Sequence, residues 1–383
     1  MLNIVSFNVP YPPNYGGIID VYYKLKALHA AGVRIILHCF DYGRGEAPEL
    51  EAFCEKVYYY KRRTGLMSNL SLLPYNVYSR RDPELLRNLL SNNYPILFEA
   101  LHTCYYINDE RLKGRLKIYR ESNIEHDYYH HLSKAARGVI KKTFLRIEAW
   151  RYRRYEKVLK HADLMLAVSM ADTEYLAERF PEVSVEYMPS FHAADRVTSE
   201  PGQSDFILYH GNLSVAENEH AALYLIRNVF GKLDYRCVIA GMNPSERLIR
   251  AASAYPNIVI EANPSQQEMD CLTGSAQIQT LITFQDTGLK LKLLNSLFAG
   301  RHTLVNHLML TGTGLDELCT VANSPEEMID ACHRLMQLPM TREEIARREL
   351  VLLPKYSNRH QAEKLKHFLL YEKALNDQRK TSD

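Results

Sequence analysis

Short apolar runs alternate with stretches of helical period through most of this 383-residue chain, and that alternation restricts the fold more than any other feature. Leu2 to Val9 reads as a buried strand. The proline and glycine cluster Pro10 to Gly17 turns it into a helix from about Ile18 to Ala31, and Val33 to Phe40 is the next strand. Strand, glycine loop, helix, strand is the opening of a doubly wound parallel sheet, whose ligands gather at the carboxyl ends of the strands.

The pattern continues with strands at Val57 to Tyr60, Ile96 to Leu101, Leu116 to Tyr119, Asp163 to Ser169 and Val183 to Met188. Helices are expected at Asp82 to Asn92, from Tyr128 to about His161, and after Ser169 to Phe180, while Arg62 to Arg81 has no clean period and reads as a long loop. Asp195 to Asp205 is polar and aperiodic, which marks a domain boundary. The alternation then restarts: strands Phe206 to His210, Arg236 to Ala240, Ile258 to Ile260, Ile278 to Ile282 and Thr303 to Val305, with helices at Val215 to Phe230 and from Pro244 and Gln266. Pro354 should stop the helical run Thr341 to Leu353, and Tyr356 to Asn376 forms a last helix. Two domains follow, residues 1–198 with a returning segment 356–383, and residues 205–353, a division that suits a chain of this length.

Composition narrows the functional classes. A formal charge of +2 and a pI near 8.1 give no global signal for nucleic acid, so any basic surface is local. The seven cysteines are scattered without a C-x-x-C pair and read as small apolar residues of a reducing compartment. No stretch approaches the roughly 18 uninterrupted apolar residues of a membrane span, and the expected location is the cytoplasm or the inner face of the cytoplasmic membrane.

Candidate site residues cluster where strands end. Gly16-Gly17 lets backbone approach a ligand, or simply makes a turn, and is not a G-x-G-x-x-G fingerprint. His102 follows one strand, and Arg120, Asn123 and Glu125 follow another. Gly211 and Asn212 leave the first strand of the second half. The stretch Thr287 to Asn306, TGLKLKLLNSLFAGRHTLVN, reads as loop, helix, turn and strand. A helix opening behind Gly288 presents unpaired N–H groups and the positive end of its dipole to a phosphate, with Lys290 and Lys292 in its first turn. The alternative is an ordinary helix with solvated lysines. Lys141 to Lys160 is basic, with Phe144, Trp150, Tyr152 and Tyr155 interleaved, which fits either an anionic membrane surface or a plain solvated face.

That stretch resembles the donor-site signature of family-4-type glycosyltransferases of GT-B architecture, and Arg120, Asn123 and Glu125 match a second segment of that family, R-x-H-N-x-E, with Ser122 at its histidine position. The resemblance implies an α/β fold of two doubly wound Rossmann-like domains facing across a cleft, with a C-terminal helix returning to the first. It implies a nucleotide-sugar donor, UDP- or GDP-linked, held by Gly288, Leu289, Lys290, Lys292 and Asn295 in the second domain, and a glycan or lipid-linked acceptor in the first. It also implies retention of configuration in the building of a cell-surface glycan. Family members commonly carry glutamate where this chain has Thr287 and Asn295. Those departures leave a second reading, a catalytically impaired scaffold or binding subunit, and a third, a nucleotide-sugar epimerase. No D-x-D pair occurs, so neither a metal nor another cofactor is expected.

Overall fold

The computed structural model describes residues 1–136, 138–284 and 291–380, the side chains of residues 66, 67, 135 and 371–380 excepted. The chain divides into two compact units, Met1–Phe191 with Asn358–Asp383, and His192–Ser357. The stretch 195–205 thus lies inside the second unit.

The first unit carries β1 (Leu2–Ser6), β2 (Ile35–Asp41), β3 (Lys56–Lys61), β4 (Ile96–Glu99), β5 (Lys117–Arg120), β6 (Leu164–Ala167) and β7 (Ser184–Tyr187), all parallel, in the order β3-β2-β1-β4-β5-β6-β7. The second carries β8 (Phe206–His210), β9 (Arg236–Gly241), β10 (Ile258–Ala262), β11 (Ile278–Leu281), β12 (His302–Val305) and β13 (Thr320–Val321), also parallel, in the order β10-β9-β8-β11-β12-β13. Every residue of β1 and of β8 is buried, as continuous apolar runs in a helix-covered parallel sheet must be. In each unit the direction of winding reverses beside the first strand, between β1 and β4 and between β8 and β11. The carboxyl ends of the strands at such a reversal are where sheets of this kind bind their ligands.

The structure departs from the sequence expectations at four turns. Residues 62–81 are not one loop: Leu66–Leu70 and Tyr75–Tyr78 are short helices, the second pinned where the Tyr75 amide donates to Glu148 Oε2 at 2.8 Å. The helix expected from Tyr128 to His161 is broken by Gly138 at φ +88° into Glu125–Ala135 and Val139–Tyr155, followed by a 3-10 turn to His161. β4 ends at Glu99 because Ala100, at φ +60°, turns the chain. Pro354 does not end its helix, which runs from Arg342 to Tyr356. A proline in the last turn removes a single backbone bond, and Tyr356, buried with its hydroxyl donating to Thr313 O at 2.6 Å, holds that turn in place. The final helix, Asn358–Lys380, returns to the first unit, where Ala362 and Leu365 enter the core beside the helix Gly16–Ala30.

Four buried charges tie this first unit together. Lys24 Nζ donates to both oxygens of Glu99, at 2.7 and 2.8 Å, and to Asp20 Oδ2 at 3.0 Å. Arg120 approaches Asp20 at 3.3 and 3.4 Å, and Asp20 Oδ1 also accepts from the Phe191 amide at 2.7 Å. Burial works to raise the Asp20 pKa, but Arg120, Lys24 and that amide outweigh it and hold the carboxyl below its usual range. Two cations and two anions cancel, so helix Gly16–Ala30, β4, β5 and the chain's exit at Phe191 are fixed without a surplus charge.

Two stability predictions follow from these interiors. Lys24→Met strands Glu99 and leaves Asp20 with Arg120 alone, and should cost about 3–5 kcal/mol. Arg34→Ala, which removes an exposed pair with Glu55, should leave stability almost unchanged. Urea unfolding distinguishes them, and equal losses would refute the assigned roles. His38, buried between Tyr60 and Asn3, is pushed down to about 3 by burial, with the Arg115 charge adding to the effect. Below its unfolded pKa of about 6.5 the unfolded chain takes up a proton that the folded one refuses, so stability falls on acidification by up to about 1.4 kcal/mol per pH unit. The stability gap between wild type and His38→Gln should therefore narrow from pH 7 to pH 4.5; a constant gap excludes the histidine as the source.

Candidate functional site

In the second unit β8 ends at His210, and the loop after it packs against the end of β9. A Cβ on Gly241 would lie 1.8 Å from Gly211 O, so only glycine allows this backbone-to-backbone approach. Asn218, on the helix Ala216–Asn228, braces the same loop: its Nδ2 donates to Asn212 O at 3.0 Å, and its Oδ1 accepts from Lys292 Nζ at 3.3 Å. Lys292 also stands 5.5 Å over the Tyr209 ring. Gly211, Asn212 and Lys292, distant in sequence, thus meet around one asparagine that the sequence reading missed. Nothing in the local pattern marked Asn218, which is an ordinary polar residue of a helix.

Lys292, Asn295, Ser296 and Ala299 lie on one face of the helix Leu291–Ala299. Asn295 and Ala299, with His210, Arg196, Asp270 and Thr273, line a cavity of about 640 Å³ in this unit. His210 is buried, with Nε2 3.4 Å from Ser296 Oγ, which in turn donates to Gln279. Burial, helped by the charge of Lys292, pushes His210 down to about 4, so its ring is neutral at pH 7 and offers one donor and one acceptor. Thr287, Gly288, Leu289 and Lys290 lie outside the described residues.

In the first unit the candidates surround the ends of β1, β4 and β5. Gly17 has a packing reason: a Cβ there would lie 2.8 Å from the Phe7 ring, and Gly16 beside it is exposed. His102 stands in the 3-10 turn Leu101–Tyr106 after the Ala100 bend, its ring edge-on to Phe7 and tilted on Tyr152. Its Nε2 is 3.2 Å from Glu125 Oε2 but out of line for a hydrogen bond. Glu125 opens the helix Glu125–Ala135, and Asn123 is half-buried in the bend before it.

Arg120, a candidate site residue with these in the sequence, is instead buried beneath them. It is 1% exposed and spends its guanidinium on Asp20 and the carbonyls of Met188 and Pro189, so no donor is left at the surface for substrate. The sequence reading also missed Arg62, just past β3, and Arg80, just past the short helix Tyr75–Tyr78; the Arg80 guanidinium donates to Phe7 O beyond the end of β1. Tyr152, buried, and Tyr129, half-buried, come from the basic helical region with their rings 4.9 Å apart.

No family model matches the chain. It is 25% identical over 354 residues to an uncharacterized 44.6 kDa protein in the cps region of Klebsiella pneumoniae, covering 86% of this chain and 89% of that one. Among solved structures it is similar to HepE of Anabaena in complex with UDP and glucose, with a TM-score of 0.65 at 9% identity over 97% of this chain and 100% of that one. It is similar also to a UDP-forming α,α-trehalose-phosphate synthase of Burkholderia xenovorans, in complex with glucose-6-phosphate, with a TM-score of 0.66 at 11% identity over 96% and 99%. WaaG, a glycosyltransferase involved in lipopolysaccharide biosynthesis, aligns with a TM-score of 0.63 at 10% identity over 96% and 99%. From end to end, then, the fold of this chain is the two-domain GT-B fold of those glycosyltransferases.

Proposed function

We propose that the chain is a glycosyltransferase that moves a sugar from a nucleotide-sugar donor to a glycan or lipid-linked acceptor during assembly of a cell-surface polysaccharide. The observation that carries this reading is the meeting of Lys292, Asn218 and the Gly211–Asn212 backbone at the winding reversal of the second unit, beside a cavity lined by Asn295. Support comes from the shared fold with a protein crystallised with UDP and from a relative encoded in a cps region.

On this reading the second unit holds the donor. Lys292 and backbone amides balance the diphosphate without a divalent cation, Asn295 meets the ribose, and the neutral His210 ring supplies a hydrogen bond. The first unit holds the acceptor, with His102 and Glu125 orienting its hydroxyl. The bond from the anomeric carbon to the diphosphate oxygen breaks, the acceptor oxygen takes its place with retention, and the hydroxyl proton leaves to the departing phosphate or to the His102–Glu125 pair.

No helix among the described residues is long and apolar enough to cross a membrane. Work on a lipid-linked acceptor would therefore use a peripheral contact at the inner face of the cytoplasmic membrane. The helix Val139–Tyr155 offers one: Ile140 is 89% exposed and Val139 81%, with Trp150 also exposed, among Lys141, Lys142 and Arg146.

Two measurements test this. By calorimetry Lys292→Ala should bind UDP-sugars or GDP-sugars ten- to a hundredfold more weakly than wild type, the equivalent of roughly 1.5–3 kcal/mol for a charged hydrogen bond to phosphate. Asn295→Ala should lose more than Asn295→Asp, which keeps an acceptor for a ribose hydroxyl. A wild-type protein that binds no nucleotide sugar at millimolar concentration ends the transferase reading. Separately, the protein should sediment with anionic vesicles at low salt and release at high salt, at about 1 kcal/mol per basic residue near the surface. Ile140→Glu should weaken the association; salt-independent pelleting, or none, refutes the contact.

A further inference from the structure

The loop after β1 in the first unit lies near three arginines that no carboxylate balances among the described residues. Arg80 is the deepest, 5% exposed and held by carbonyls alone: Nε and Nη2 donate to Phe7 O at 2.9 and 2.8 Å, and Nη1 to Asn76 O at 2.7 Å. Those bonds leave one N–H on each terminal nitrogen with no protein acceptor. Arg62 donates to Ser79 Oγ and Asn76 Oδ1, with its guanidinium 4.4 Å from the Tyr42 ring. Arg44, 5.7 Å over the Tyr15 ring, donates to Asn14 and to the carbonyls of Tyr11 and Pro12.

Asp41, at the end of β2, is occupied in capping the Arg44 and Gly45 amides, and among the described residues none of the three arginines forms an ion pair. A guanidinium taken out of water without a counter-ion is costly, and an unpaired one is rare unless something outside the chain pairs it. The strain shows in Arg80 itself, which burial and the neighbouring Arg62 charge press down to about 9. Tyr152 and Tyr15 are close enough to act on Arg80 electrostatically, and the Tyr152 hydroxyl is buried beside Tyr129. Tyr15 and Tyr42, 41% and 59% exposed, stand toward solvent.

We propose that this cup is a binding subsite for a phosphate group, with Arg80 as its floor, Arg62 as its outer cation and the Tyr152 hydroxyl as a neutral donor. A phosphate dianion cancels both guanidinium charges and has oxygens for both forks and the hydroxyl. A carboxylate carries one charge and two oxygens and leaves one arginine uncompensated. The subsite lies where the winding of the first sheet reverses, the usual ligand position of such a sheet. Its occupant is assigned on the transferase reading above: the acceptor carries a phosphate or diphosphate, either as a soluble sugar phosphate or as a lipid-linked diphosphate. The subsite itself stands without that reading.

The test is titration of inorganic phosphate, followed by ³¹P line broadening, into wild type, Arg62→Gln, Arg80→Gln and, as a control outside both sites, Arg34→Ala. Wild type and Arg34→Ala should bind alike, and each of the Arg62 and Arg80 variants should bind at least tenfold more weakly. Arg62 is half-buried, so its variant reports even where Arg80→Gln melts early, which circular dichroism reveals. A hexose 6-phosphate and a short-chain isoprenyl diphosphate are then compared; a tenfold preference for either names the source and supports the subsite. The proposal is overturned by wild type that fails to bind phosphate, by Arg62→Gln binding as wild type does, or by tighter binding of glucuronate than of phosphate. Loss of UDP-sugar binding with the phosphate titration intact would remove the transferase reading and leave this subsite in place.

Discussion

The first unit depends on the neutral cluster of Asp20, Lys24, Glu99 and Arg120. Each of these charges would be expensive alone in the interior, and removing one leaves a partner unpaid for in a medium that cannot hydrate it. The cluster is consequently a set of mutual constraints on helix Gly16–Ala30, β4 and β5, with the Phe191 amide adding the point where the chain leaves the unit. It lies just beneath the strand ends. Glu99 immediately precedes the Ala100 bend that delivers His102, and Arg120 precedes the turn that delivers Asn123 and Glu125. The charges shape the surface above them without reaching it.

The second unit solves the same task with small residues and carbonyl bonds. Gly211 and Gly241 allow two loops to touch through their backbones, and a Cβ on Gly300 would fall 2.0 Å from Gln279 Nε2, the side chain whose other end accepts from Ser296 beside His210. Arg348, 5% exposed, donates to the carbonyls of Leu297, Gly300 and Arg301, where the helix Leu291–Ala299 ends. A cation at a helix C-terminus satisfies groups that no intrahelical donor can reach and complements the dipole. That helix carries Lys292 and Asn295 on one face, so its anchoring at one end fixes where those side chains stand.

A formal charge of +2 conceals how unevenly charge is distributed. Paired buried charges lie under the site in the first unit, and unpaired arginines lie beside it. The difference is what separates a group that positions from a group that waits for a ligand: Arg120 has its carboxylate, and Arg62 and Arg80 have none among the described residues. Both kinds look the same as letters in a sequence.

The alternation of apolar runs and helical periods determined two parallel α/β sheets and the approximate place of nearly every strand, because burial on both faces demands continuous apolar segments and a crossover between them. The glycine-led motif and the 120–125 segment pointed to the GT-B architecture. What the sequence could not determine is which polar residues are paired. Arg120 looked like a site residue and proved to be locked to Asp20, a hundred residues earlier in the chain and brought to it only by the packing of the first helix on the sheet. Arg80 and Asn218 carried no local signal, since their roles arise from partners given or withheld by distant loops. The bend at Ala100 and the helix that continues through Pro354 were likewise settled by tertiary contacts worth more than local propensity, while the break at Gly138 is a glycine signal that the helical pattern around it concealed. Local pattern selects elements, whereas the low dielectric of the folded interior decides which charges must be neutralised within the chain and which are left for a ligand.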